Sequence, residues 1–222
     1  MSNKQNYQKI LDRLLSDREM YGKKLLLHSC CAPCSSYVLV YLSRYFEITV
    51  FYYNPNITEH SEYQKRMQEQ KRLIEELNKE RMAGEERFPI GVIEGNYEPE
   101  AFMRIAQGQE AEPEGGARCF ACYSLRLQKT AEVAAEDGFD FFTTTLSISP
   151  MKNAEKLNEI GQKLGERYGV PYLLSDFKKK NGYLTSIELS RKYQLYRQDY
   201  CGCIYSAAER EKQKKERDEE SI

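Results

Sequence analysis

Short apolar runs alternate with longer amphipathic stretches along most of this chain, and that alternation leaves few architectures open. Lys24-Leu25-Leu26-Leu27-His28-Ser29 is a brief apolar run of the kind a buried strand carries. Residues 35–45 follow with Val38, Leu39, Tyr41, Leu42 and Tyr45 at helical spacing, and Ile48-Thr49-Val50-Phe51-Tyr52-Tyr53 is a second strand that ends at Asn54-Pro55-Asn56. A charged helix over 59–81, with Tyr63, Met67, Ile74 and Leu77 on a narrow apolar stripe, leads to a third strand over 88–93. After an irregular stretch over 108–116 the pattern resumes: a helix over 123–136, a strand over 139–146, and a helix that runs to Tyr168 and is closed by Gly169 and Pro171. A short strand over 171–174 and a helix over 184–196, with Ile187, Leu189 and Leu195 available for packing, complete the series; residues 5–20 precede it as a short polar helix. Crossovers between parallel strands are strongly right-handed, so this order predicts an α/β fold with a mainly parallel sheet and helices on both faces.

The 222 residues are enough to bury a full core, and the expectation is one α/β domain over 1–222, with the highly charged segment 209–222 as a solvated helix end or disordered tail. With 33 basic and 34 acidic residues, the chain lacks the strongly basic balance that announces nucleic-acid binding by itself, so any RNA contact must use a local patch. Met1-Ser2-Asn3-Lys4-Gln5 carries no apolar signal stretch, and no apolar run is long enough to span a bilayer; both predict a cytoplasmic protein without a membrane partner. In a reducing compartment, seven cysteines are more often metal ligands or redox catalysts than structural staples.

Cys30, Cys31 and Cys34 sit where the first strand gives way to a helix, at the sheet edge where open α/β folds gather their ligands and where free backbone N–H groups favour thiolates. Adjacent cysteines are expected to diverge, which suits two irons of one cluster better than two corners of a zinc site. Cys119 and Cys122 form a C-x-x-C pair opening another helix, able to converge on one metal. Four thiolates satisfy a [4Fe-4S] cluster, and a fifth is left to hold an additional metal or to react. Zinc remains the alternative reading of a C-x-x-C, although a structural zinc site gains nothing from surplus thiols. Cys201 and Cys203 flank Gly202; a disulfide across so few residues closes a tight ring of the type found in redox-active sites, and the alternative is two further ligands or two idle thiols.

Outside the cysteines the signals are weaker. Phe177-Lys178-Lys179-Lys180-Asn181-Gly182-Tyr183 is the best candidate for an RNA-binding patch, extended by Arg191, Lys192 and Arg197, although a lysine run is equally a solvated loop. Lys152 and Asn153, after the predicted strand end and Ser149-Pro150, can reach ribose or phosphate, or cap the following helix. His28, closing an apolar strand, reads as a hydrogen-bonded core residue rather than a proton donor.

Taken in order, His28-Ser29-Cys30-Cys31-Ala32-Pro33, Tyr53-Asn54-Pro55-Asn56-Ile57, Ser61-Glu62-Tyr63, Arg118-Cys119 with Cys122, Thr144-Thr145-Leu146, Ser149-Pro150 with Lys152-Asn153, and Tyr196-Arg197-Gln198 with Cys201-Gly202-Cys203 resemble the QueH-type epoxyqueuosine reductases. The resemblance implies a HUP-like (adenine nucleotide α-hydrolase-like) fold and a cobalamin-independent oxidoreductase that reduces epoxyqueuosine at the wobble base of tRNA, with electrons from an external donor that no motif names. It implies a [4Fe-4S] cluster on Cys30, Cys31, Cys119 and Cys122, a redox-active disulfide between Cys201 and Cys203, and a neighbouring iron. Cys34 matches a position where members of that family also carry aspartate, another plausible iron ligand. Two readings of other classes stand beside it: an ATP-dependent tRNA thiolation enzyme, for which the glycine-serine-rich phosphate loop is missing, and a zinc-stabilised RNA-binding module.

Overall fold

An apolar run without polar alternation is stable as a strand only if both of its faces are covered. The computed structural model, which describes residues 5–220, provides that cover. Strands β1 (Lys23–His28), β2 (Phe46–Tyr52), β3 (Ile90–Glu94) and β4 (Phe141–Thr144) form one all-parallel sheet in the order β3-β2-β1-β4. The helices are α1 (Tyr7–Leu15), α2 (Ala32–Leu42), α3 (His60–Met82), α4 (Pro99–Ala106), α5 (Ala117–Glu136), α6 (Ala154–Tyr168), α7 (Gly182–Lys192) and α8 (Ile204–Glu220).

The two-residue period of β1 divides the core. Leu25 and Leu27 pack with Leu11 of α1, Leu39 of α2 and Leu73 of α3, whereas Leu26 points the other way to Leu127 of α5 and Leu157 of α6. All three leucines are fully buried, and helices cover both faces. No described helix is long and apolar enough to cross a membrane.

The sheet order positions the site. The chain winds outward from β1 through β2 to β3, then crosses back through α5 and places β4 on the other side of β1. The reversal falls between β1 and β4, and in open α/β sheets the crevice beyond the strand ends at such a point is where ligands sit.

Three sequence expectations shift, and one helix is new. Residues 171–174 form no strand: Tyr172 bridges Phe142, but Asn158 then takes over the backbone of Ser175, accepting its N–H at 2.9 Å and donating to its carbonyl at 2.8 Å, so the ladder stops. β4 is shorter than 139–146 because the Thr144 hydroxyl accepts the Leu146 N–H at 3.1 Å and turns residues 145–148 into a 3-10 turn. α7 begins at Gly182 and ends at Lys192, since Gln194 takes a positive φ of 51°; Leu195 is buried outside the helix. α4, which no periodicity announced, is only eight residues long and buries Phe102 and Ala106. The charged segment from Glu209 continues α8 to Glu220 with exposed side chains over 211–218; Ser221 and Ile222 lie outside the described residues.

α6 packs closely enough to make one strong prediction. A Cβ added at Gly161 would lie 2.5 Å from the Tyr172 ring, which itself stacks edge-on against Phe142 at 5.2 Å. Gly161→Ala is therefore expected to destabilise the fold by about 1–3 kcal/mol, the usual cost of overpacking, read as a lower urea midpoint.

Candidate metal centre

β1 delivers the first cysteines into a rigid turn. The Ser29 N–H continues the β1–β2 ladder to the Phe51 carbonyl at 3.0 Å, and Asn54 Nδ2 donates to the Ser29 carbonyl at 2.9 Å. Buried Gln70 of α3 accepts from the hydroxyls of Ser29 and Ser35 at 2.7 and 2.8 Å, tying both ends of the turn together. Cys31 is the extended residue before α2, and Pro33 in the first turn has a fixed φ suited to a helix start. The sulfurs of Cys30, Cys31 and Cys34 all lie within 4.8 Å of one another. Those of Cys30 and Cys31 are 3.8 Å apart, so the adjacent thiols converge rather than diverge, because the chain turns into the helix at Cys31.

Cys119 and Cys122 occupy the first turns of α5, three residues apart and so on one helical face. Cys119 Sγ accepts the Gly115 N–H at 3.3 Å. Cys122 is buried beside Phe102, Ala106 and Cys203. The Cys201-Gly202-Cys203 turn is clamped from three sides: Arg66 Nη1 donates to the Cys201 carbonyl at 3.1 Å, Asn56 Nδ2 to the same oxygen at 3.4 Å, and the Thr58 N–H to the Gly202 carbonyl at 3.2 Å. Gly202 has φ +113°, and a Cβ there would lie 2.8 Å from Ile57, so the turn requires glycine. Cys203 Sγ accepts the Ser206 N–H at 3.4 Å at the start of α8. All seven cysteines are free in this structure.

Cys30, Cys34 and Cys201 open onto one cleft of about 360 Å³, whose walls also carry Arg66, Arg126 and Lys152. The electrostatics separate the thiols. Cys30 is held well below the ordinary thiol range, first by hydrogen bonding from Cys31 and Cys34 and then by Arg126, while Cys31 is pushed up to about 12 chiefly by Cys30. Cys201 is drawn down to about 5, first by the Cys203 thiol and then, against burial, by Lys152 and Arg126. Cys203 is raised in return, and burial raises Cys119 and Cys122, the latter to about 11. Cys201 is thus the thiolate of its pair. His28, fully buried, is pushed down to about 3 by burial and by Arg126. Its Nδ1 faces Thr144 Oγ1 at 2.7 Å, and its Nε2 meets Arg126 Nε at 3.2 Å and the Tyr53 carbonyl at 3.1 Å. A neutral, core-bound imidazole results.

The non-cysteine candidates scatter. Lys152 lies in the cleft wall, buried and paired with Glu114 at 2.8 Å. Asn153 instead caps α6, its Oδ1 accepting the Lys156 N–H at 3.0 Å. Asn153→Ala should cost about 1 kcal/mol, the value of a lost N-cap, in thermal unfolding, and leave RNA affinity unchanged. The lysine run does not line the cleft: Lys178 is bonded to Asp176 and to the Ser147 and Lys152 carbonyls, Lys180 to Asp12 of α1, and among the described residues Lys179 alone of the three has no such bond. Positive φ at Lys180 and Asn181 turns the run away from a continuous face. Arg197 does reach the cleft, anchored to Ser190 Oγ at 3.0 Å, beside Tyr183, Tyr200 and Arg210.

Sequence reasoning missed Arg66 and Arg126. Helical register is the one signal they leave: Arg126 shares a face of α5 with Cys122, Tyr123, Thr130 and Ala134, and Arg66 follows Glu62 by one turn of α3, but which face turns inward depends on the sheet.

The family described as epoxyqueuosine reductase QueH matches residues 25–209. The chain is 43% identical over 210 residues to the epoxyqueuosine reductase QueH of Staphylococcus epidermidis, covering 93% of this chain and 86% of that one. Identity to the epoxyqueuosine reductase QueH of Streptococcus pyogenes is 40% over 208 residues, covering 93% and 80%. With that of Thermotoga maritima it is 33% over 189 residues, covering 84% and 91%.

Proposed function

Because this chain belongs to the QueH family of epoxyqueuosine reductases, we propose that it removes the epoxide oxygen of epoxyqueuosine at the tRNA wobble position, the last step of queuosine synthesis. The observation that carries this reading is the meeting of Cys30, Cys34 and Cys201 in one cleft, with Cys203 two residues on and buried beside Cys122. Converting an epoxide to an alkene consumes two electrons and two protons and releases water. Oxidation of the Cys201 thiolate and the Cys203 thiol to a disulfide releases two electrons and one proton; solvent supplies the second proton, and an external reductant must then restore the pair.

An all-sulfur donor set with soft thiolates suits an iron–sulfur cluster. Cys30, Cys31, Cys119 and Cys122 would hold a [4Fe-4S] cluster and Cys34 an additional iron, supplying single-electron steps and a Lewis-acidic position for the epoxide oxygen. The chain's own groups do the rest. Arg66 and Asn56 fix the Cys201 turn at the cleft, and Lys152 and Arg126 keep its sulfur anionic. Tyr183 and Tyr200 offer flat surfaces for an unstacked base and Arg197 and Arg210 offer charge for its backbone, the combination by which proteins grip single-stranded RNA. Contact with tRNA at this mouth would be salt-sensitive.

The test is anaerobic incubation of the iron-loaded protein with epoxyqueuosine-containing tRNA and a chemical reductant, followed by nucleoside mass spectrometry. Loss of one oxygen from the modified nucleoside is expected. No conversion by a protein carrying full iron and sulfide would refute the assignment.

A further inference from the structure

Three cations are buried in the cleft wall, and two of them have carboxylate partners. Arg66 Nε pairs with Glu62 at 2.6 Å, and Lys152 with Glu114 at 2.8 Å. Arg126 is the most buried of the three, 1% exposed, yet among the described residues no carboxylate lies within salt-bridge distance of it. Its nitrogens bond to neutral groups, Nε to His28 Nε2 at 3.2 Å and Nη2 to Asn54 Oδ1 at 2.5 Å, and to the Cys122 sulfur. Arg118, buried elsewhere, is satisfied by two backbone carbonyls at 2.9 Å and lies outside the cleft wall.

A buried cation without a counter-charge is among the costliest arrangements a protein core can hold. The charges that surround Arg126 are sulfurs. Arg126 lines the same cleft as Cys30 and Cys201 and follows Cys122 by one turn of α5, so residues of all three cysteine sets lie around its guanidinium; burial works against its ionisation, and Cys122, Cys30 and Cys201 more than offset that. His28 and Asn54 hold the fork in this position, and Asn54 is itself anchored on the Ser29 carbonyl beside Cys30. Within the Tyr53-Asn54-Pro55-Asn56 segment, Asn56 holds the Cys201 turn and Asn54 holds Arg126.

We infer that Arg126 is the built-in counter-cation of the thiolate-bound metal centre, a positioning residue that stabilises the loaded form and raises the centre's reduction potential. The inference rests on the iron–sulfur reading above. Net charge and hydrogen bonding at the sulfurs are what the protein uses to set such potentials, and replacing a cation here by a neutral group makes the site more negative and harder to reduce.

The experiment compares wild-type protein with Arg126→Gln, Arg126→Lys and Asn54→Asp, each metal-free and after anaerobic reconstitution, by iron and sulfide content, thermal midpoint and spectroelectrochemical titration. Bonds lost to His28 and Asn54 affect both forms and cancel, so the informative quantity is the rise in midpoint on loading. Arg126→Gln should shrink that rise and shift the potential negative, or leave the metal-free protein folded yet unable to take up iron. Arg126→Lys, which keeps the charge, should stay nearer wild type. Asn54→Asp, which puts a carboxylate on the guanidinium without removing it, should shift the potential in the same negative direction and decides the matter if Arg126→Gln does not fold. An unchanged rise and potential in Arg126→Gln, or in Asn54→Asp where that variant decides, overturns the assignment. Wild-type protein that takes up no iron and sulfide overturns the iron–sulfur reading instead.

Discussion

Cys201→Ser is expected to lower multiple-turnover epoxide reduction on the order of 10²–10⁴-fold, the scale set by losing a group that moves protons in the reaction, while iron and sulfide stay bound. Cys201 and Cys203 supply both electrons and one of the two protons of the overall balance, and Cys201 is the thiolate of the two, drawn down to about 5 by Cys203 first and by Lys152 and Arg126 after it. Serine keeps the hydrogen bond that the Cys201 N–H makes to Ser206 Oγ at 2.8 Å and the carbonyl that Arg66 and Asn56 hold, so the turn keeps its shape. Cys203→Ser should behave alike. Parallel assays with tRNA and iron analysis check the prediction; full turnover in both variants would remove the dithiol from the mechanism.

The second large effect concerns Cys122. Its sulfur is buried among Phe102, Ala106 and Cys203, where no water can substitute for a missing ligand. Cys122→Ser should lose the visible absorption of the loaded protein and most of its iron. The accompanying loss of thermal stability should be absent from the metal-free comparison, because ligand binding stabilises only the form that binds. A variant that keeps wild-type iron and sulfide would show that Cys122 is no ligand.

Much of the fold was legible because buried parallel strands leave a run of apolar residues that no surface element imitates. Leu25 to Leu27 and Ile48 to Tyr53 both became strands within a few residues of expectation. Where the sequence misled, a single side chain had intervened: Asn158 captured the backbone of Ser175, and Thr144 captured Leu146. Such long-range or capping bonds leave no periodic trace. The cysteines announced the site because few other roles suit seven of them in such groups, but their second layer was hidden. Arg66 and Arg126 look like ordinary surface charges of helical segments until the sheet turns their stripe inward. The lysine run is a cluster in sequence that the positive-φ turn at Lys180 and Asn181 disperses in space.

The most direct measurement is iron, zinc and acid-labile sulfide per chain, with the visible spectrum, on protein purified and reconstituted without oxygen. The account predicts about four irons and about four sulfides per chain, with any further iron in excess of them, the composition of a [4Fe-4S] centre with an added metal. Stoichiometric zinc without sulfide, persisting through reconstitution, would contradict it.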